Sequence, residues 1–123
     1  MNLREHWKDG GGPMRVRDQH YFTLGEDGEP VPVPGDDIRE WAQWFESADR
    51  KVAHEDLPDD VAVSTVFLGI NHNYIGGAPV LFETMIFGGP WDQYQWRYTL
   101  RVEAERGHAA IVAKLQAGEK PEP

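Results

Sequence analysis

The 123-residue chain contains no cysteine, which excludes disulfides, thiolate-bound metals and a cysteine nucleophile. No apolar run approaches the roughly 20 residues that a membrane-spanning helix needs. The first residues, MNLREHWKDGGG, lack the apolar core of a signal peptide. These absences lead us to expect a soluble cytoplasmic protein, because a chain without thiols suits a reducing compartment.

Positive charge is the scarcer sign: 12 basic residues face 21 acidic ones, and the formal net charge is −9. A field of this sign disfavours direct binding to nucleic acid or to an anionic membrane. It is compatible with a protein partner that has a basic groove. Solubility alone also explains it, and that is the plainer interpretation.

The ends of the chain are polar and the middle is not. Residues 1–13 end in three glycines and a proline and are predicted to be a flexible tail. Residues 14–118 are predicted to form a single α+β domain, and residues 119–123 a second tail.

Apolar periodicity and turn residues predict the elements of this domain. The predicted strands are 19–24, 30–34, 50–54, 61–68, 80–87 and 95–98, and the predicted helices are 37–49, capped by Asp37, and about 100–117, capped by Thr99. Both faces of strands 61–68 and 80–87 are largely apolar, which indicates central strands covered on more than one side. The order of elements predicts an α+β fold, a mainly antiparallel sheet of four or five strands with two helices packed on one face.

The loop between the two central strands, residues 69–77, is the first candidate binding site. Its candidate residues are Asn71, His72, Asn73 and Tyr74. Histidine side chains titrate near neutral pH, so His72 is a candidate base, acid or metal ligand. The asparagines are able to hydrogen-bond a ligand. The competing interpretation, which we favour, is that Asn and Gly supply left-handed turn conformations and that His72 is solvated.

A carboxylate and an aromatic segment are further candidates. Glu83 interrupts an apolar strand, so it faces solvent, pairs with Arg97 or Arg101, or acts as an acid or base; exposure or pairing is favoured. The aromatic candidates are Trp91, Tyr94 and Trp96. On the surface, they would stack on a ligand or anchor a partner; the alternative is that they cover the sheet edge and a helix end. We favour the covering role.

Metal and catalytic signatures are weak. Several ligand-type side chains are present but scattered, without a recognised spacing: His54, His72, Glu83, Asp92 and His108. His108 lies on the apolar stripe of the second helix, which favours a core histidine with a hydrogen-bond partner. No metal, cofactor or catalytic residue is therefore predicted.

Several motifs mark a resemblance. They are WFESADR, VSTVFLGINHN, GG-x-PVLFETMIFGG and EAERGH, spread over about Trp41–Leu115. In these motifs the chain resembles a group of small proteins encoded by bacteriophages and prophages. The resemblance implies an accessory phage product made inside an infected bacterium, and it implies no activity, cofactor or functional residue.

These observations favour a non-enzymatic phage accessory protein that binds a host or phage macromolecule in the host cytoplasm. An acidic inhibitor of a defence effector, such as a nuclease, is one form of this hypothesis. Two alternatives stay open: a binder or sponge for small, nucleotide-type ligands walled by residues 69–77 and 91–98, and a small enzyme using His72 with Glu83 or Asp92. The five tryptophans and an open sheet edge leave a homodimer open as well.

Overall fold

A computed structural model describes residues 20–34 and 38–122. The strands are β1 (Phe22–Leu24), β2 (Pro30–Pro32), β3 (Lys51–Leu57), β4 (Val61–Phe67), β5 (Phe82–Phe87) and β6 (Gln95–Tyr98), and the helices are α1 (Ile38–Ser47) and α2 (Arg101–Gln116). The predicted tail at 1–13 and the Asp37 cap lie outside the described residues. Within those residues, no helix combines the length and the apolar character needed to cross a membrane.

The chain divides into two compact units. The first, here the loop unit, contains the described residues up to 49 together with 68–81, and the second, the sheet unit, contains 50–67 and the described residues from 82 onwards. The expectation of a single domain over 14–118 stays a prediction.

The fold is α+β, as predicted. Strands β3, β4, β5 and β6 form an antiparallel four-stranded sheet in that order, and β1 pairs with β2 in a separate hairpin. Helix α2 packs against all four strands of the larger sheet, and in the loop unit α1 contacts β1. The described core of the sheet unit centres on Val63, Ile86, Ile111 and Val112.

The two central strands have one buried face and one partly exposed face. Val63, Thr65 and Phe67 of β4 are fully buried, as are Phe82, Thr84 and Ile86 of β5. Their intervening residues are partly accessible, and Phe87 is 48% exposed. The expectation that these strands are covered on more than one side was therefore too strong, because apolar residues on a strand face do not by themselves show that the face is covered.

Strand β3 is longer than its sequence predicts. Residues 55–57 read as part of an acidic turn, but they pair in register with Val61–Val63 of β4. Exposed acidic side chains are acceptable there because β3 is an edge strand. The turn is confined to residues 58–60, where Asp59 and Asp60 adopt φ of 64° and 60°.

Helix α2 begins at Arg101, one residue later than predicted. Its N-cap is Leu100, and Thr99 is buried. The Glu103 carboxylate accepts a hydrogen bond from the Leu100 N–H at 3.0 Å, which is the reciprocal half of a capping box and satisfies the N–H of the N-cap residue. Gly118, with φ of 75°, follows the helix as the predicted C′ residue.

The segment after α2 is attached to the sheet unit. Pro121 is fully buried, and the Trp96 indole N–H donates to the carbonyl of Glu122 at 2.8 Å. The segment predicted as a polar C-terminal tail is thus held to the sheet unit at Pro121 and Glu122.

Candidate functional site

The loop between β4 and β5 is held by its own asparagine side chains. Asn71 is 2% exposed, and its Oδ1 accepts hydrogen bonds from the backbone N–H groups of Asn73 and Val80, each at 2.9 Å. The Asn73 amide donates to the carbonyls of Gly76 at 2.9 Å and Ala78 at 2.7 Å. Its Oδ1 accepts from the Ile75 N–H at 3.2 Å.

Glycines, not asparagines, supply the left-handed conformations of this loop. Gly69, Gly76 and Gly77 have φ of 77°, 93° and 97°, whereas the asparagines act through their side-chain amides. The favoured interpretation of the loop was therefore wrong about how the asparagines work. It was right that the asparagines stabilise the loop's conformation, and they do so through hydrogen bonds of their side-chain amides.

The tip of this loop is apolar and exposed. The exposed fractions are 79% for Tyr74 and 96% for Ile75. His72 is partly buried, with its ring centroid 6.2 Å from that of Tyr74. We call Tyr74 and Ile75 the loop tip. It is a small apolar surface on a loop whose backbone is held by hydrogen bonds from Asn71, which is buried, and Asn73, which is partly buried.

Glu83 pairs with arginine, one of the outcomes favoured from sequence. Arg97 Nε lies 2.9 Å from Glu83 Oε2, and the two residues are directly opposite each other on β5 and β6. Asp92 Oδ1 accepts a hydrogen bond from the Gly88 N–H at 2.6 Å. Each carboxylate thus has a partner in the sheet unit that accounts for its position without acid–base chemistry.

The aromatic segment forms a chain of ring contacts. The ring centroids of Trp91 and Tyr94 are 5.6 Å apart, and those of Tyr94 and Trp96 are 6.4 Å apart. All three residues pack, partly buried, against the core cluster of the sheet unit. Their packing agrees with a covering role, although Trp91 also contributes to a cavity.

That cavity has a volume of about 620 Å³ and lies wholly within the sheet unit. It is a half-open cleft bordered by the turn after β3, the turn after β5 and the C-terminal end of α2. Its lining includes Leu57, Asp59, Val61, Trp91, Leu115 and Glu119. Sequence reasoning missed this cavity because its walls come from three segments far apart in the chain.

A buried polar network connects α2 to the sheet. The Tyr98 hydroxyl donates to Thr84 Oγ1 at 3.2 Å, Thr84 Oγ1 lies 2.5 Å from Thr65 Oγ1, and Thr65 Oγ1 lies 2.8 Å from His108 Nδ1. If Nδ1 of a neutral imidazole accepts, each hydroxyl donates once, in order from Tyr98 to His108. The prediction of a core histidine with a satisfied hydrogen bond is confirmed.

Burial sets the proton affinities in this network. Desolvation lowers the pKa of His108 from its usual value. Two smaller effects follow: the charge of Glu55 raises this pKa, and that of His54 lowers it. Desolvation raises the pKa of Tyr98, and the hydrogen bond to Thr84 partly offsets this. Both groups are thus held neutral near pH 7, which suits a structural role for the network.

The threonines of this network carried a signal that sequence reasoning did not use. Thr65 and Thr84 occupy matched inward positions of β4 and β5, and each interrupts a buried apolar face. Two such positions facing one helical histidine indicate a buried hydrogen-bond network.

Over the described residues, no three His, Asp or Glu side chains come together in a group able to hold a metal ion. Comparisons of the chain with protein-family models, with curated proteins and with solved structures return no match.

Proposed function

We propose that this protein is a non-enzymatic binding protein that engages a protein partner through the loop tip. The observation that carries the proposal is the exposure of Tyr74 and Ile75 on a loop held by partly buried hydrogen bonds of its asparagine side chains. Exposed apolar side chains at one point are typical of interface anchors, and aromatic anchors contribute most to affinity.

The rigidity of the loop supports this role. Ordering a flexible loop on binding costs affinity, and a loop ordered beforehand avoids much of that cost. Asn71 and Asn73 together receive or donate five hydrogen bonds within the loop. These hydrogen bonds hold the backbone that carries the tip, which lowers the cost of ordering the loop on binding.

The net charge and the resemblance to phage proteins indicate what kind of partner to expect. A net charge of −9 favours a partner with a basic surface and speeds its association at low salt. With the phage-like motifs, this supports an accessory protein acting in the cytoplasm of an infected bacterium, where a basic-grooved defence effector is a suitable target.

The test combines capture with site-specific crosslinking. A photoreactive amino acid at position 75 is expected to crosslink one defined protein from bacterial lysate, and the same residue at exposed Glu26 is not. The double variant Tyr74→Ser, Ile75→Ser should weaken binding of the purified partner at least about tenfold. Unchanged affinity in that variant, or identical crosslinks from both positions, would refute the role of the loop tip.

Salt dependence tests the electrostatic part separately. We expect the association rate to fall as salt rises from low to physiological concentration, with little change in the dissociation rate. An association rate independent of salt would remove the argument for a basic partner.

A further inference from the structure

We infer that the cavity of the sheet unit binds a small organic cation with an apolar body, such as an alkylated or aromatic ammonium compound. This site is independent of the loop tip, because every residue that lines it belongs to the sheet unit.

The size and the walls of the cavity suit a small molecule. About 620 Å³ falls within the range of roughly 300–1,000 Å³ typical of ligand sites. Its apolar wall is formed by side chains that also pack, partly buried, against the core of the sheet unit: Leu57, Val61, Trp91 and Leu115. A rigid apolar wall of this kind favours an apolar ligand body.

The charged side chains on the described lining are carboxylates. Asp59 and Glu119 both line the cavity and both are exposed, so they lie at its solvent side. Their charge attracts a cation and repels a phosphate or a carboxylate. The nucleotide-type ligand, one of the alternatives that the sequence leaves open, stays a prediction, but these carboxylates favour a ligand of the opposite charge.

Trp91 adds a specific feature for a cation. Its indole lines the cavity, and the Lys120 ammonium lies 5.5 Å from the ring centroid. The indole therefore already interacts with a positive charge of the chain itself. Lys120 is exposed, and its positive charge opposes a second cation at the same ring, so its removal should strengthen binding.

The experiment compares three probes that share one alkyl chain: hexyltrimethylammonium, hexanol and hexanoate. Binding to the full chain is measured by calorimetry and by tryptophan fluorescence at physiological salt. We expect the ammonium to bind, hexanol to bind at least about tenfold more weakly, and hexanoate to give no response in the same concentration range.

The β3–β4 turn offers matched variants. Asp59 and Asp60 have nearly identical φ of 64° and 60°, and asparagine tolerates that conformation, yet Asp59 lines the cavity and Asp60 does not contribute to its lining. Asp59→Asn should weaken ammonium binding roughly fivefold. Asp60→Asn should change it less than twofold, and Lys120→Gln should strengthen it.

Four results would overturn the inference. They are equal affinity for all three probes, preference for hexanoate, equal effects of the two aspartate substitutions, and no binding of the ammonium at millimolar concentration. Both aspartate variants are expected to keep the unfolding midpoint of the parent, which separates a lost site from a lost fold.

Discussion

Replacing Gly107 by alanine should destabilise the protein, although the same change stabilises most helices. Gly107 lies inside α2, where glycine costs about 1 kcal/mol relative to alanine. Its sequence position suggests close approach of another backbone, but the structure places the Tyr98 side chain there. A methyl group at position 107 would lie 2.7 Å from Cε1 and from Cζ of Tyr98, and closer still to its hydroxyl oxygen.

The cost of this contact exceeds the gain in helix propensity. Carbon atoms pack best at about 3.5–4 Å, so the ring or the helix must move by about 1 Å. Overpacking of this kind costs about 1–3 kcal/mol. Displacing the ring also weakens the Tyr98–Thr84 hydrogen bond, worth about 1 kcal/mol, so we expect a net loss of about 1–3 kcal/mol.

Denaturant unfolding followed by tryptophan fluorescence and circular dichroism measures this loss. The melting temperature should fall by about 4 °C per kcal/mol for a chain of this size. Ala109→Gly, at an exposed position of the same helix, is the control for propensity and should cost about 1 kcal/mol.

A double substitution tests the cause directly. With Tyr98→Ala as the background, the obstructing ring is absent, so Gly107→Ala should become stabilising by up to about 1 kcal/mol. If Gly107→Ala stabilises the parent chain, or destabilises equally in both backgrounds, the close contact with Tyr98 is not the reason for this glycine.

Three further predictions concern the buried polar groups. Thr65→Val removes the hydroxyl between Thr84 and His108, and should cost about 1–3 kcal/mol in denaturant unfolding because it leaves buried polar atoms unpaired; no loss would show that the network contributes nothing. Because the pKa of His108 is lowered in the folded chain, the unfolded chain binds a proton at His108 more readily. The stability that neutral His108 contributes to the free energy of unfolding is therefore complete above about pH 6.5 and is lost as the pH falls below that value. Relative to the parent, His108→Asn should therefore show a smaller loss of unfolding free energy between pH 6.5 and 5, and parallel curves would contradict this. Asn71→Ala removes the acceptor of two backbone N–H groups and should cost about 2 kcal/mol or more by thermal unfolding, whereas Tyr74→Ala, at an exposed position, should stay within about 0.5 kcal/mol.

The elements that sequence reasoning located well are those with a strong local signal. Strand β6 occupies the predicted residues, and β4 ends within one residue of its expected bounds. The apolar pattern of β4 is a local signal because side-chain direction in a strand repeats every two residues. The Gly88-Gly89-Pro90 sequence is another, and β5 ends directly before it at Phe87. The α+β class follows from the order of such elements along the chain.

Strand β3 shows where local reasoning fails. Glu55 and Asp56 have poor strand propensity, and the acidic residues after them indicate a turn. Pairing with β4 supplies backbone hydrogen bonds along the strand, and an edge position leaves the carboxylates in water. Tertiary pairing thus overrides propensity, which no local pattern in this segment reveals.

The candidate sites divide in the same way. The sequence alone determined that residues 69–77 form a loop rich in asparagine and glycine, that His108 faces the core, and that the charge of the chain is strongly negative. Only the tertiary structure decided that the asparagine amides build the loop, that Thr65, Thr84 and Tyr98 join His108, and that Asp59, Trp91 and Glu119 share one cavity. The physical reason is that periodicity and charge are properties of neighbouring residues, whereas a hydrogen-bond network or a cavity requires distant segments to meet at distances of a few ångströms.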